Sequence, residues 1–349
     1  MMSQQFEPHQ SDHRYARQRI LPMIGPDGQN QIQRGRVAIL GIGALGTHAA
    51  DALTRAGVGF IRLVDRDVPE LSNLQRQVLF DTGDVENGIP KAAAAAERLR
   101  SVNPEIQIEP VVTDINPTNI ERLINDVDLV IDGSDNFELR YLLNDAAVKL
   151  NKPWLYGGVI STHGMSMLVR PGESPCLRCI FPDAPAPGDA PTCDTAGVLG
   201  PAVAMVAAIQ SSEAIKFLSG RMNALNDALT MLDIWEMTFR QVDLGDRDPN
   251  CPACGKNQYD FLDRQAPRQT TDLCGSDSIQ IMIDPAPTLS LGDLADRLRE
   301  AGSVSHNNYL LRFTTNGYQL TVFPDGRAII KGTTDPAEAR SIYSRYIGM

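Results

Sequence analysis

The chain is short of positive charge. Among 349 residues, 32 are Lys or Arg and 43 are Asp or Glu, a formal net charge of −11. A polyphosphate backbone or an anionic bilayer would be repelled by that balance, so no nucleic-acid and no membrane partner is expected beyond a local basic pocket. Long apolar runs are missing too. The longest, AGVLGPAVAMVAAI at 196–209, is too short to span a bilayer and contains Pro201; it reads as a buried helix. The first nineteen residues are polar, with no apolar stretch of signal-peptide length, and a cytoplasmic location is the expectation. No GxxxxGK[ST] occurs, which excludes a P-loop nucleotide site. No internal repeat is visible.

Cysteine is sparse but organised. Cys176 and Cys179 form one CxxC pair, Cys251 and Cys254 another, and Cys193 and Cys274 stand alone. In a reducing compartment, two such pairs favour metal over disulfides. Four thiolates suit a closed, tetrahedral, structural Zn²⁺ site; reduced thiol pairs or redox-active turns are the alternatives.

Hydrophobic patterning then gives the architecture. RVAIL (36–40), FIRLVD (60–65), IQIEPVV (106–112) and VDLVID (127–132) read as buried strands separated by helical segments. This βαβ alternation implies α/β: a doubly wound, Rossmann-like, mostly parallel sheet. PWLYGGVIS and GMSMLVRP suggest an antiparallel extension. Pro182, Pro185, Pro187, Pro191 and Gly188 mark an irregular, mobile loop. A helix over 198–218 and strands over 228–234 and 237–244 follow. The expected organisation is one domain over 1–255, a polar linker over 256–275, and a small α+β module over 276–349. Strand-like pieces in that module are IQIMID, YLLRFT, YQLTVF and RAIIKG, with helices near 290–300 and 335–345.

GIGALG (41–46) follows the first strand and opens a helix, as a GxGxxG phosphate loop does. Asp65, nineteen residues after Gly46, stands where a carboxylate accepts ribose hydroxyls. These two features fit NAD as well as ATP. The next segment shifts the balance. Asn73 and Arg76 would share a face of a helical turn. Lys91 heads an Ala-rich helix, where a cation opposes the macrodipole and needs another reason to be there: phosphate, or plain surface exposure. Asp132 and Asp135 end the fourth strand, and Asp135 suits Mg²⁺ or the N-cap of the helix 136–150. Cations and a metal-binding acid fit phosphoryl or nucleotidyl transfer better than hydride transfer.

With these residues in view, the chain resembles the ThiF/MoeB/HesA family of bacterial adenylyltransferases, relatives of the ubiquitin-activating enzymes. The matching stretches are RYARQRIL (14–21), GIGALG, LVDRDVPELSNLQRQ (63–77), IPKA (89–92), IDGSDNFELRYLLND (131–145), CLRC, TCDTAGVLGP (192–201) and CPAC. The resemblance implies Mg·ATP as substrate and a small ubiquitin-like sulfur carrier ending in Gly-Gly as partner. The carrier's carboxylate would be adenylylated, for thiamin thiazole or molybdopterin synthesis. It further implies that Asp65 binds the ribose, that Gly43, Ala44, Ser72, Asn73, Leu74, Gln75 and Arg76 contact the nucleotide, and that Arg76 and Lys91 hold phosphates. Asp135 would place Mg²⁺ with Asn136 beside it. Arg17 matches an arginine finger given across a homodimer interface, and the two CxxC pairs would hold structural Zn²⁺. Cys193 would be linked covalently to the carrier in one branch and is dispensable in another. Eukaryotic relatives append a rhodanese domain with a catalytic cysteine; no cysteine follows Cys274 here. Two further readings stand beside this one: an NAD-dependent Rossmann oxidoreductase, and a non-catalytic zinc-bearing partner module.

Overall fold

The computed structural model describes residues 13–185, 196–264, 270–272, 278–282 and 289–348. The chain divides into two units, 1–264 and 265–349. In the first, eight strands form one sheet: β1 (Arg36–Leu40), β2 (Phe60–Val64), β3 (Gln107–Val111), β4 (Leu129–Asp132), β5 (Trp154–Ile160), β6 (His163–Val169), β7 (Ala228–Asp233) and β8 (Thr238–Asp243). Their order is β3-β2-β1-β4-β5-β6-β7-β8. From β3 to β5 neighbours run parallel, and from β5 to β8 antiparallel. This is the doubly wound sheet with an antiparallel extension that the patterning implied.

Residues of β1 alternate between two cores, as a strand covered on both faces must. Val37 and Ile39 join α2 (Ala44–Ala56), α3 (Lys91–Val102) and the end of α5 (Gly200–Leu218) on one side. Ala38 and Leu40 pack on the other with α4 (Phe137–Lys149) and the short helix Ile120–Ile124. A further helix, α1 (Gly25–Ile32), precedes β1. No helix among the described residues is long and apolar enough to cross a membrane.

Residues 256–264 differ from the expected linker. Phe261 and Leu262 are buried in the core cluster, and the Phe261 amide donates to the buried Asp145 carboxylate at 2.9 Å. The polar composition concealed one apolar pair, and that pair closes the unit.

The second unit is a six-stranded antiparallel sheet, ordered β11-β12-β13-β14-β10-β9. Its strands are β9 (Thr270–Asp272), β10 (Ser278–Ile281), β11 (Ser303–His306), β12 (Leu311–Thr315), β13 (Tyr318–Val322) and β14 (Ala328–Lys331). α6 (Leu291–Leu298) and α7 (Pro336–Tyr346) cover it with Leu294, Leu298, Ile342 and Tyr343. Ser290 and Asp335 cap these helices, each accepting a first-turn amide. β11 (SVSH) escaped the sequence reading because it carries no apolar alternation.

Candidate active site

The glycine loop connects β1 to α2. Gly41 has φ +90°, and a Cβ there would meet the Gly133 backbone at 2.9 Å, so the turn itself demands glycine. Gly43 is different. The nearest atoms to a Cβ at Gly43 are the Gly133 carbonyl oxygen at 3.8 Å and Gln77 Nε2 at 3.9 Å. Nothing in the protein forbids a side chain there, yet one would stand in the cleft over the start of α2. Gly43 is also the N-cap of that helix and supplies no side-chain acceptor. The first amides of a thirteen-residue helix therefore remain available to an anion.

Asp65 follows β2 and is buried. Its carboxylate accepts the Ile42 amide at 2.7 Å and the Asp67 amide at 2.7 Å, which ties the ribose-type acid to the glycine loop. Burial pushes its carboxyl up, against the pull of Lys91. Lys91 is itself buried, so the exposed-lysine alternative is set aside. Its amide donates to the Asp67 carbonyl at 2.8 Å, and its Nζ lies 3.7 Å from the Asp67 carboxylate. Burial alone would lower the Lys91 pKa, but Asp65, Asp67, Asp135 and Glu70 outweigh it and hold Lys91 above the ordinary lysine value. Lys91 is thus a desolvated cation facing a group of carboxylates, at the helix end where a cation is least favoured.

Beyond β4 the chain makes a tight acidic turn. Asp132 is fully buried and pairs with Arg140 at 3.0 Å, while its Oδ1 accepts the Ser134 hydroxyl at 2.6 Å. The other end of Arg140 donates to the carbonyls of Ser134 at 2.8 Å and Gly157 at 3.1 Å. Asp132 is thereby spent on fixing the turn, and Asp135 is left exposed at its tip. The N-cap of α4 is Asn136, not Asp135: the Asn136 side chain accepts the Glu138 amide at 2.8 Å. Asp135 is not spent on capping, and it lines the cleft.

These elements face one cleft with about 1020 Å³ of empty space, its open mouth included. Gly43, Ala44, Asp65, Arg76, Lys91, Asp135 and Asn136 all line it. Ser72, Asn73, Leu74 and Gln75 do not. Leu71–Asn73 form a 3₁₀ turn in which Asn73 closes a capping box with Glu70, the Ser72 carbonyl accepts Arg76 Nη1 at 2.9 Å, and Leu74 packs on the core. In this chain they are the mount for Arg76. Arg17 sits exposed on the short helix Ala16–Arg19 and is not among the residues lining the cleft of its own chain. Among the lining residues that sequence reasoning missed are Arg66, Asp67, Gln77, Asp114 and Arg140. Arg140 was findable, because a buried Asp132 at a strand end requires a buried cation.

The four paired cysteines converge. Cys179 and Cys254 sulfurs are 3.3 Å apart, Cys176 and Cys251 3.6 Å, and Cys176 and Cys179 3.9 Å, with all four within 4.8 Å. Tetrahedral zinc with Zn–S near 2.3 Å places sulfurs about 3.8 Å apart, so the donor set fits the ion. Hydrogen bonding between the thiols draws Cys179 down to about 5 and pushes Cys176 up. Asn144 of α4 accepts the Leu177 amide at 2.9 Å, joining the cluster to the helix that begins at the acidic turn. Cys193 and Cys274 lie outside the described residues, as does most of the proline-rich loop.

A doubly wound sheet with an open helix N-terminus, a ribose-type acid and a buried lysine around one cleft defines a nucleotide-binding protein built to hold polyphosphate. The chain belongs to the ThiF family, whose pattern matches residues 15–253. It is 41% identical over 337 residues to the sulfur carrier protein ThiS adenylyltransferase of Bacillus subtilis, covering 96% of this chain and 99% of that one. A sulfur carrier protein adenylyltransferase of Thermus thermophilus is 41% identical over 260 residues, covering 72% of this chain and 95% of that one. Among solved structures, E. coli MccB with ATP matches with a TM-score of 0.61 at 26% identity, over 69% of this chain and 74% of that one. Family membership sets aside the NAD-dependent oxidoreductase.

Proposed function

We propose that this protein uses Mg·ATP to adenylylate the C-terminal Gly-Gly carboxylate of a small ubiquitin-like sulfur carrier serving thiamin thiazole or molybdopterin synthesis. One carboxylate oxygen attacks the α-phosphorus, the bond from that phosphorus to the β-phosphate bridging oxygen breaks, and pyrophosphate leaves. Both reactants are anions, so the reaction depends on cations that screen their repulsion and stabilise charge on the phosphate oxygens. The observation that carries this reading is Lys91, a buried cation held charged by surrounding carboxylates in a cleft closed by the glycine loop.

Lys91 and Arg76 bind phosphate oxygens, the α2 amides beyond Gly43 and Ala44 take the remainder, and Asp65 accepts the ribose hydroxyls. Asp135 would hold Mg²⁺, which neutralises phosphate charge when bound. Arg17 acts across a homodimer interface, which agrees with its exposure and with its absence from the lining of its own cleft. Zn²⁺ on Cys176, Cys179, Cys251 and Cys254 would be structural, bracing the foot of α4. Adenylylation belongs to the first unit, Cys193 is the candidate for a covalent link to the carrier, and the cytoplasm is the expected compartment. A non-catalytic partner module would not need Arg76, Lys91, Asp65 and Asp135 together on one cleft.

ATP–pyrophosphate exchange is the test. Exchange stimulated by a Gly-Gly carrier, and not by the same carrier lacking its last glycine, is the expected result. Exchange that ignores the carrier rules out this acceptor.

A further inference from the structure

Among described residues 13–20 Tyr15 alone is buried, and it starts the short helix that carries Arg17. A Cβ at Gly57, the residue that ends α2, would meet the Tyr15 ring at 2.5 Å, so the ring occupies the space this glycine leaves. The Tyr15 hydroxyl accepts Asn103 Nδ2 at 2.8 Å, and the same amide donates to the Thr54 carbonyl at 2.9 Å. Gln18 Nε2 donates to the Ala56 carbonyl at 3.0 Å and to Gln29 Oε1 at 2.7 Å. Arg14 Nη1 donates to the Val102 carbonyl at 3.1 Å. Thr54, Ala56 and Val102 lie in the last turns of α2 and α3, where helix carbonyls take partners from outside the helix. The residues on both sides of Arg17 are therefore pinned to the far ends of two helices: α2, which starts at the glycine loop, and α3, which starts at Lys91. α2 runs thirteen residues, about 20 Å of rise, which one arginine side chain cannot span.

We infer that Tyr15, seated on Gly57 and bonded to Asn103, is the positioning residue for Arg17, holding it for use by the cleft of a second copy. This rests on the trans reading of Arg17 above and deepens it. Arginine carries about 2 kcal/mol of rotamer entropy, and a donor to a transferring group is effective only when held within about half an ångström of its place. A finger given to another chain cannot take that hold from the sheet it serves, so its own subunit must supply it. His13, Arg14, Ala16, Arg17 and Ile20 are all exposed, and Tyr15 is the one deep anchor in this arm. The rival reading makes Tyr15, Gln18 and Asn103 ordinary helix caps, whose loss harms only the cleft of the chain that carries them.

Mixed dimers of the full-length chain separate the two, with pyrophosphate exchange under Mg·ATP and a Gly-Gly carrier as the readout. Tyr15→Ala alone should lose roughly ten- to a hundredfold in exchange, the cost of a misplaced group. Co-expressed in equal amounts with Lys91→Met, it should regain about a quarter of parental exchange, because its intact cleft then receives a well-held Arg17 from the other chain. Co-expressed with Arg17→Ala it should regain none, since neither chain offers a placed finger. Damage confined to the chain's own helices gives the reverse pattern, recovery with Arg17→Ala and none with Lys91→Met, and overturns the proposal. Parental exchange by Tyr15→Ala alone overturns it too, as does a lack of recovery in both mixtures. Should Tyr15→Ala fail to fold, Tyr15→Phe, which keeps the ring on Gly57 and loses only the Asn103 bond, goes through the same two mixtures with the same expected pattern. If Arg17→Ala and Lys91→Met do not complement each other, the trans reading fails and this inference with it; if the parent itself shows no exchange, the adenylylation reading fails.

Discussion

Replacing Lys91 by Met tests the cleft where its physics is least ambiguous. The side chain is 10% exposed, and its charge offsets Asp65, which is also buried. Removing one partner of such a pair leaves an uncompensated buried charge and costs about 3–5 kcal/mol of stability. Loss of one preorganised donor to a transferring phosphoryl group costs a further factor of roughly 10²–10³ in turnover. The two effects are separable. Lys91→Met with Asp65→Asn removes both charges, so it should recover at least half of the lost stability in urea unfolding while pyrophosphate exchange stays low. The same pair has a pH signature. A lysine raised from its ordinary 10.5 stabilises the fold fully below that value and loses the contribution as pH rises through the higher folded pKa. The parent should therefore lose stability above about pH 10.5 more steeply than Lys91→Met. A double variant as unstable as the single one, or a folded Lys91→Met with exchange close to the parent's, refutes the reasoning.

Further predictions concern the loop, the metal and the dimer. Gly43→Val should fold with a thermal midpoint near the parent's, because the closest protein atom to a new Cβ is 3.8 Å away, yet lose nucleotide affinity by roughly tenfold or more; Gly41→Val, at positive φ against Gly133, should lose the fold instead, and unfolding scans with ATP titrations decide both. Plasma mass spectrometry should find one zinc per chain, lost with a large drop in thermal midpoint when Cys251 and Cys254 become Ser. An equal mixture of Arg17→Ala and Lys91→Met chains should regain about a quarter of parental exchange, because half the dimers then carry one complete site. No recovery would place Arg17 in its own chain's site, and parental exchange by Arg17→Ala alone would place it outside catalysis.

The framework was legible because it is written in local patterns. RVAIL and FIRLVD are apolar on both faces, and only a sheet covered on both sides has use for that. The glycine loop, Asp65 and the paired cysteines are short motifs whose spacing carries their geometry. What the sequence hid was pairing at a distance. Arg140 answers Asp132 across eight residues of chain, Arg66 answers Asp114 across 48, and Phe261 reaches Asp145 across 116. Each partner is polar or aromatic for a reason that exists only after folding. Lys91 was ambiguous on the page for the same cause, since its burial depends on carboxylates brought in by β2 and the acidic turn. β11 had no apolar alternation to show, and its register comes from β12 alone.

The central claim is that one carboxylate is joined to one AMP in this cleft. Incubating the protein with Mg·ATP and a Gly-Gly sulfur carrier, then weighing the intact carrier, tests it most directly. The account predicts a carrier heavier by a single adenylyl group, formed with release of pyrophosphate and absent when Lys91 is Met. A carrier of unchanged mass while ATP is consumed, or an adduct formed equally well without Lys91, would contradict it.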